Sequence, residues 1–150
     1  MSDLVSEPVG ASVVRLVEIR DTALSIDEVM AVLDDPTDGG VTVFVGRVRD
    51  HDGGRGVQGL DYSAHPTALE RLRGVCEQVA ADHPVHGVAA VHRVGHLEIG
   101  DIAVIVATAA SHRGQAFDAS RTLIDTLKAE VPIWKHQAFV DGTEEWVGAP

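Results

Sequence analysis

Apolar positions recur with two different periods along this chain, and the changes of period mark its elements. Ser12 to Arg20 alternates around Val14, Leu16 and Ile19, which predicts a strand. Ser25-Ile-Asp-Glu28 has capping-box spacing and opens a short helix through Leu33. Asp34-Asp-Pro-Thr-Asp-Gly-Gly40 is turn chemistry, and Val41 to Arg49 is a second, β-branched strand. Asp50-His-Asp-Gly-Gly-Arg-Gly56 reads as a mobile loop, followed by a strand from Val57 to Ala64. Pro66 occupies the first turn of a helix running to about Asp82, with Leu69, Leu72, Val75, Cys76 and Val79 on one face.

Gly87 to Val94 and Ile102 to Ala110 are strands joined by Gly95-His-Leu-Glu-Ile-Gly-Asp101. The second is apolar on both faces, as expected of a covered central strand. Arg113 to Ala129 has helical spacing, with Phe117, Leu123, Ile124 and Leu127 facing inward, and Pro132 stops it. Ile133 to Val140 returns as a strand. Two long helices and one short helix among about six strands give an α+β class with a mixed or antiparallel sheet. Residues 1–10 read as a flexible N-terminal tail, and 11–150 as a single domain.

Composition narrows the function. The 150 residues carry a formal net charge of -11, which argues against nonspecific nucleic-acid binding. No apolar run reaches spanning length and no signal peptide opens the chain, so a cytoplasmic protein is expected. The single cysteine, Cys76, excludes an internal disulfide and reads as a small buried thiol. Only two lysines occur, Lys128 and Lys135, and they flank Pro132-Ile-Trp134; every other side-chain cation of the Lys/Arg class is arginine. Lysine, unlike arginine, loses its proton when partly desolvated, so it can act as acid, base or nucleophile.

The remaining positive charge gathers at two places. Arg47 and Arg49 sit two apart around Val48, on one face of the predicted strand and about 7 Å apart, beside a Gly-rich loop. Such a pair can clamp a phosphate or carboxylate, or simply be solvated at a sheet edge. Ser111-His-Arg113 leads into a helix, whose N-terminus itself favours an anion. His83 with His86, and His92 with His96, lack a ligand motif and read as structural or solvated, so no metal site is expected. There is no GxSxG, P-loop or GxGxxG.

Phe44-Val-Gly-Arg-Val-Arg49, His92-Arg-Val-Gly-His-Leu-Glu-Ile-Gly-Asp101, Ser111-His-Arg113, Leu127-Lys128 and Pro132-Ile-Trp-Lys135 succeed one another in an order that resembles the large, catalytic subunit of molybdopterin synthase. The resemblance covers about residues 12 to 147. It implies an α/β-hammerhead-like fold and a sulfurtransferase of molybdenum cofactor biosynthesis. The implied reaction converts cyclic pyranopterin monophosphate to molybdopterin by inserting two dithiolene sulfurs. The sulfur comes from the C-terminal Gly-Gly thiocarboxylate of a small ubiquitin-like subunit, with no cofactor, in a heterotetramer built on a homodimer.

Carried over by position, the resemblance assigns catalysis to Lys128 and Lys135. It assigns substrate binding to Phe44, Arg47, Val48, Arg49, His112, Arg113, Lys128, Lys135, His136 and Gln137. Two departures stand out: Gln137 replaces a frequent acidic residue, and His65 stands where many members carry an aromatic contact. The alternatives are a non-catalytic module binding the tail of a ubiquitin-like protein, and a metal-dependent phosphoester hydrolase using His112.

Overall fold

A computed structural model describes residues 13–148 of the chain. The strands are β1 (Val14–Arg20), β2 (Gly40–Arg47), β3 (His51–Asp52), β4 (Arg55–Ala64), β5 (Val85–Arg93), β6 (Gly95–Leu97), β7 (Ile102–Ala110), β8 (Ile133–Phe139) and β9 (Glu144–Gly148). The helices are α1 (Ile26–Val32), α2 (Ala68–Asp82) and α3 (Arg113–Glu130). The class is α+β. One sheet has the order β1-β5-β7-β2, with β1 parallel to β5 and the other pairs antiparallel. The other has the order β3-β4-β8-β9, with β6 beside β4.

Strand alternation explains how the first sheet is covered on both faces. Val88, Ala90, Val104 and Val106 join Leu72, Cys76 and Val79 of α2 and Leu123 and Leu127 of α3 in one core. The intervening Ala89, Val91, Ile105, Ala107 and Ala109 pack with Leu24, Val29 and Leu33 around α1. β7 is therefore central and apolar on both sides, as its sequence predicts. Each fully buried leucine, such as Leu72 or Leu123, contributes about 1.5–3 kcal/mol by leaving water. A third cluster, Val48, Leu60, Leu97 and Ala103, lies beneath the end of β2 and anchors the segment that leads into β3.

Several sequence expectations change. Residues 50–56 form a tight hairpin, with His51 opposite Gly56 and Asp52 opposite Arg55. Gly53 and Gly54 turn it at φ 59° and 80°, a backbone region that glycine enters without steric cost. The strand from Gly40 ends at Arg47, after a bulge, so Arg49 lies beyond it. Three short strands, β3, β6 and β9, add to the six expected. Pro66 precedes α2, whose N-cap is Thr67. Leu69 and Phe117, expected inside, are 45% and 61% exposed, and alanines or small residues fill the inward positions beside them. The capping box is half made. Ser25 Oγ accepts from the Glu28 amide at 3.1 Å, but the Glu28 carboxylate goes to Arg20 at 2.6 and 2.7 Å. The predicted tail lies outside the described residues.

Candidate active site

Pro132 creates the site by stopping α3 where the chain can turn back. Val131, the C-cap, adopts extended angles, Val131 and Ile133 are buried, and the Pro132 carbonyl accepts from the His65 amide at 3.0 Å. β8 then runs antiparallel to β4, with Lys135 opposite Tyr62 and Gln137 opposite Leu60. The end of β2 and the hairpin close the other side. Arg47, Val48, Arg49, His51, Asp52, Leu60, Tyr62, Lys135 and Gln137 line a polar cavity of about 50 Å³.

Lys128, in the last turn of α3, belongs to the same neighbourhood. Burial first, and then the positive charge of Lys135, push its ammonium below the usual lysine range. Much of its side chain remains open to water, so the dehydration is local to one side. Tyr62 is driven upward by burial. It meets His92 edge-on at 5.0 Å between ring centres. His92 is 5% exposed and uses Nδ1 on the Arg93 carbonyl at 2.8 Å, and a carbonyl can only accept. Burial, and less so the Lys128 charge, lowers it to about 4, so it is a neutral ring.

Gln137 is the best-fixed polar group here, at 2% exposure. Its amide nitrogen donates to Asp52 Oδ2 at 2.7 Å and to Glu145 Oε1 at 3.2 Å, joining β3, β8 and β9. The other Asp52 oxygen is 3.6 Å from Arg49. The Gln137 hydrogen bond, followed by the charges of Lys135 and Arg49, holds the Asp52 carboxyl below the usual carboxylate range. Strand alternation turns His136 to the opposite face, where it pairs with Glu144 at 2.7 Å and stacks on Trp146 at 4.5 Å.

The second cation group is elsewhere. His112 is the N-cap of α3 and Arg113 its first residue, both exposed. Arg113 and Lys128 are fifteen helical steps apart, about 22 Å at 1.5 Å per residue. Within one chain the His112–Arg113 pair therefore does not join the cavity. The turn before β2 fixes this helix start by close approach. A Cβ on Gly40 would lie 2.9 Å from the Arg113 backbone, and one on Gly39 would lie 2.2 Å from the Ser111 carbonyl oxygen. Phe44 is also outside the cavity. With Thr42, Phe117, Arg121 and Ile124 it lines an open groove of about 430 Å³ between β2 and α3.

Sequence reasoning did not single out Asp52, Tyr62 or the Asp38–His86 pair. The first was hidden by reading its hairpin as a loop. Asp38 and His86 lie 48 residues apart and pair at 2.6 Å. Together with Asp35 they place potential ligand atoms within 4.8 Å of one another. Thr37 and Arg15 already engage Asp35. Cys76 is buried, and burial raises its thiol to about 12, which leaves it without thiolate character.

Residues 19–130 match the family described as MoaE protein. Over 134 residues the chain is 46% identical to molybdopterin synthase catalytic subunit 1 of Mycobacterium tuberculosis, covering 87% of this chain and 88% of that protein. The solved structure of molybdopterin synthase from Staphylococcus aureus superposes with a TM-score of 0.82 at 32% identity, over 88% of this chain and 96% of that one. A chain in the complex of subunits 1 and 2 of molybdopterin-converting factor from Helicobacter pylori shares the fold, with a TM-score of 0.64 at 22% identity, over 91% and 89% of the two chains. By a family match over most of its length and by close relatives that it covers almost end to end, this chain belongs to the MoaE protein family.

Proposed function

We propose that the chain is the catalytic subunit of a molybdopterin synthase, and that the cavity at the C-terminal end of α3 is where its chemistry takes place. The observation that carries this reading is the meeting of Lys135 with Arg47 and Arg49 in one cavity, with Lys128 near enough for the Lys135 charge to act on it. The substrate is cyclic pyranopterin monophosphate. Its phosphate calls for concentrated cations, which this acidic chain gathers here. The sulfur is delivered as a thiocarboxylate on the Gly-Gly tail of a small ubiquitin-like subunit, so neither a cofactor nor a protein thiol is needed. As sulfur bonds to the substrate carbon, the carbon–oxygen bond breaks and the departing oxygen takes up a proton; water then cleaves the acyl–sulfur bond and leaves the tail as a carboxylate. Lys128, with its lowered affinity for a proton, is the group that supplies it.

The full site is built by two copies of the chain. β2 ends the order of its sheet among the described residues, and Val41, Phe44 and Phe117 beside it are 40%, 41% and 61% exposed. α3 runs alongside β2, with Arg113 at the Gly40 end and Lys128 toward the Arg47 end. A twofold, antiparallel meeting of two β2 edges sets the Gly40 end of one copy against the Arg47 end of the other. The partner subunit's His112 and Arg113 then reach the cavity that this chain's own pair cannot. The cavity of about 50 Å³ becomes one wall of a larger pocket. Among the described residues no helix is long and apolar enough to cross a membrane.

The test is dithiolene formation from the pterin substrate by the chain mixed with its thiocarboxylated partner. Lys128→Ala should lower the rate at least about 100-fold while the unfolding midpoint is unchanged. Ordinary turnover by that variant would overturn the assignment.

A further inference from the structure

The cavity proposed to bind an anion contains a carboxylate of its own. Asp52 lines it together with Arg47, Arg49 and Lys135. Its placement is built rather than incidental. The hairpin carrying it is joined to the sheet through only two residue pairs at β3, and the buried Gln137 amide fixes its Oδ2 at 2.7 Å. The remaining oxygen faces Arg49 at 3.6 Å. That guanidinium is 66% exposed and so is free to turn from one anion to another. The cavity these groups leave is about 50 Å³, far below the roughly 300 Å³ at which small-molecule pockets begin. Arg49 and Asp52 help to fill it from within.

We propose that Asp52 is a specificity-determining residue, an internal anion held by Gln137 that occupies Arg49 until a phosphate-bearing ligand displaces it. The inference rests on reading Arg49 as a ligand-binding cation. A carboxylate in this position lowers affinity for any small anion, since each must compete for the same guanidinium. A ligand with further contacts, such as a ring system engaging the rest of the pocket, overcomes that competition. Inorganic phosphate, which has no such contacts, reaches Arg49 but binds it more weakly for the competition. Gln137 matters as much as the acid: its amide donates to Asp52, whereas a carboxylate there would repel it.

Titration of the full chain with inorganic phosphate at constant ionic strength tests this, comparing wild type with Asp52→Asn, Arg49→Ala and the double variant. Asparagine keeps an acceptor for Gln137 and nearly the same shape, so the hairpin stays in place. Asp52→Asn should tighten phosphate binding about two- to fivefold, the range of a partly exposed charge pair. In the Arg49→Ala background that gain should vanish. An equal gain with and without Arg49 would reduce Asp52 to a remote negative charge and overturn the proposal, as would weaker binding by Asp52→Asn. Arg49→Ala that binds phosphate like wild type would instead remove the reading of the pocket on which the inference stands. A second comparison uses Gln137→Leu, which removes the donor to Asp52 and should open the hairpin to amide exchange; unchanged exchange would count against Asp52 being held through Gln137.

Discussion

The two ends of α3 carry the same kind of side chain in opposite kinds of surroundings. At its C-terminal end, Lys128 feels the charge of Lys135, which shares a cavity with Tyr62, the buried Gln137, two arginines and one acid. At its N-terminal end, His112 and Arg113 project from an exposed helix start. The first arrangement changes the proton affinity of a lysine. The second offers charge and unpaired backbone N–H groups to something that comes to it. One end is shaped for proton transfer and the other for holding an anion, and a length of about 22 Å keeps them apart within a single chain.

Subunit mixing tests that division most severely. Lys128→Ala and Arg113→Ala chains should each be nearly inactive alone. Randomly reassorted, they should recover about a quarter of wild-type activity, because half the dimers then hold one intact site of two. No recovery would place both functions in one chain and break the comparison. Phe117→Asp comes next: a charge in the groove beside β2 should shift sedimentation toward the monomer and lower turnover roughly tenfold at micromolar concentration. A smaller effect sharpens the C-terminal end. Lys135→Gln removes the charge that helps to lower Lys128, so the limb of the pH–rate profile due to Lys128 should move to higher pH. An unmoved limb would separate the two lysines.

The least effect on turnover is expected from pH below neutrality, read as stability. His92 is neutral when folded, with its proton affinity lowered to about 4, while an unfolded histidine takes up a proton near 6.5. The unfolded chain thus holds more protons between those values. Stability complete above about pH 6.5 should fall as pH drops toward 4, by of order 3 kcal/mol. Denaturant unfolding across that range measures it, and His92→Gln should flatten the slope.

Much of this arrangement is legible in the residues. β7 announces itself by apolar character on both faces, and the scarcity of lysine points to Lys128 and Lys135 before any coordinates are considered. What stays hidden is long-range. Asp-Gly-Gly-Arg suggests mobility by composition, yet a buried glutamine 85 residues away holds the hairpin still. Phe117 has the spacing of a core residue, but Ala116, Ala119 and Ser120 occupy the inward face and leave it outside. Ser111-His-Arg113 reads correctly as a helix start. That it lies a helix length from the lysines is evident only once α3 is seen to run unbroken between them.

Gly39 and Gly40 have a consequence that reaches past their own turn. Hydrogen alone fits where they face Ser111 and Arg113, so the height of the helix start is set by backbone resting on backbone. A single added methyl group there would lift Arg113 without altering one charged side chain. In a mixed population of normal and altered chains, such a change would injure the neighbour's pocket before its own.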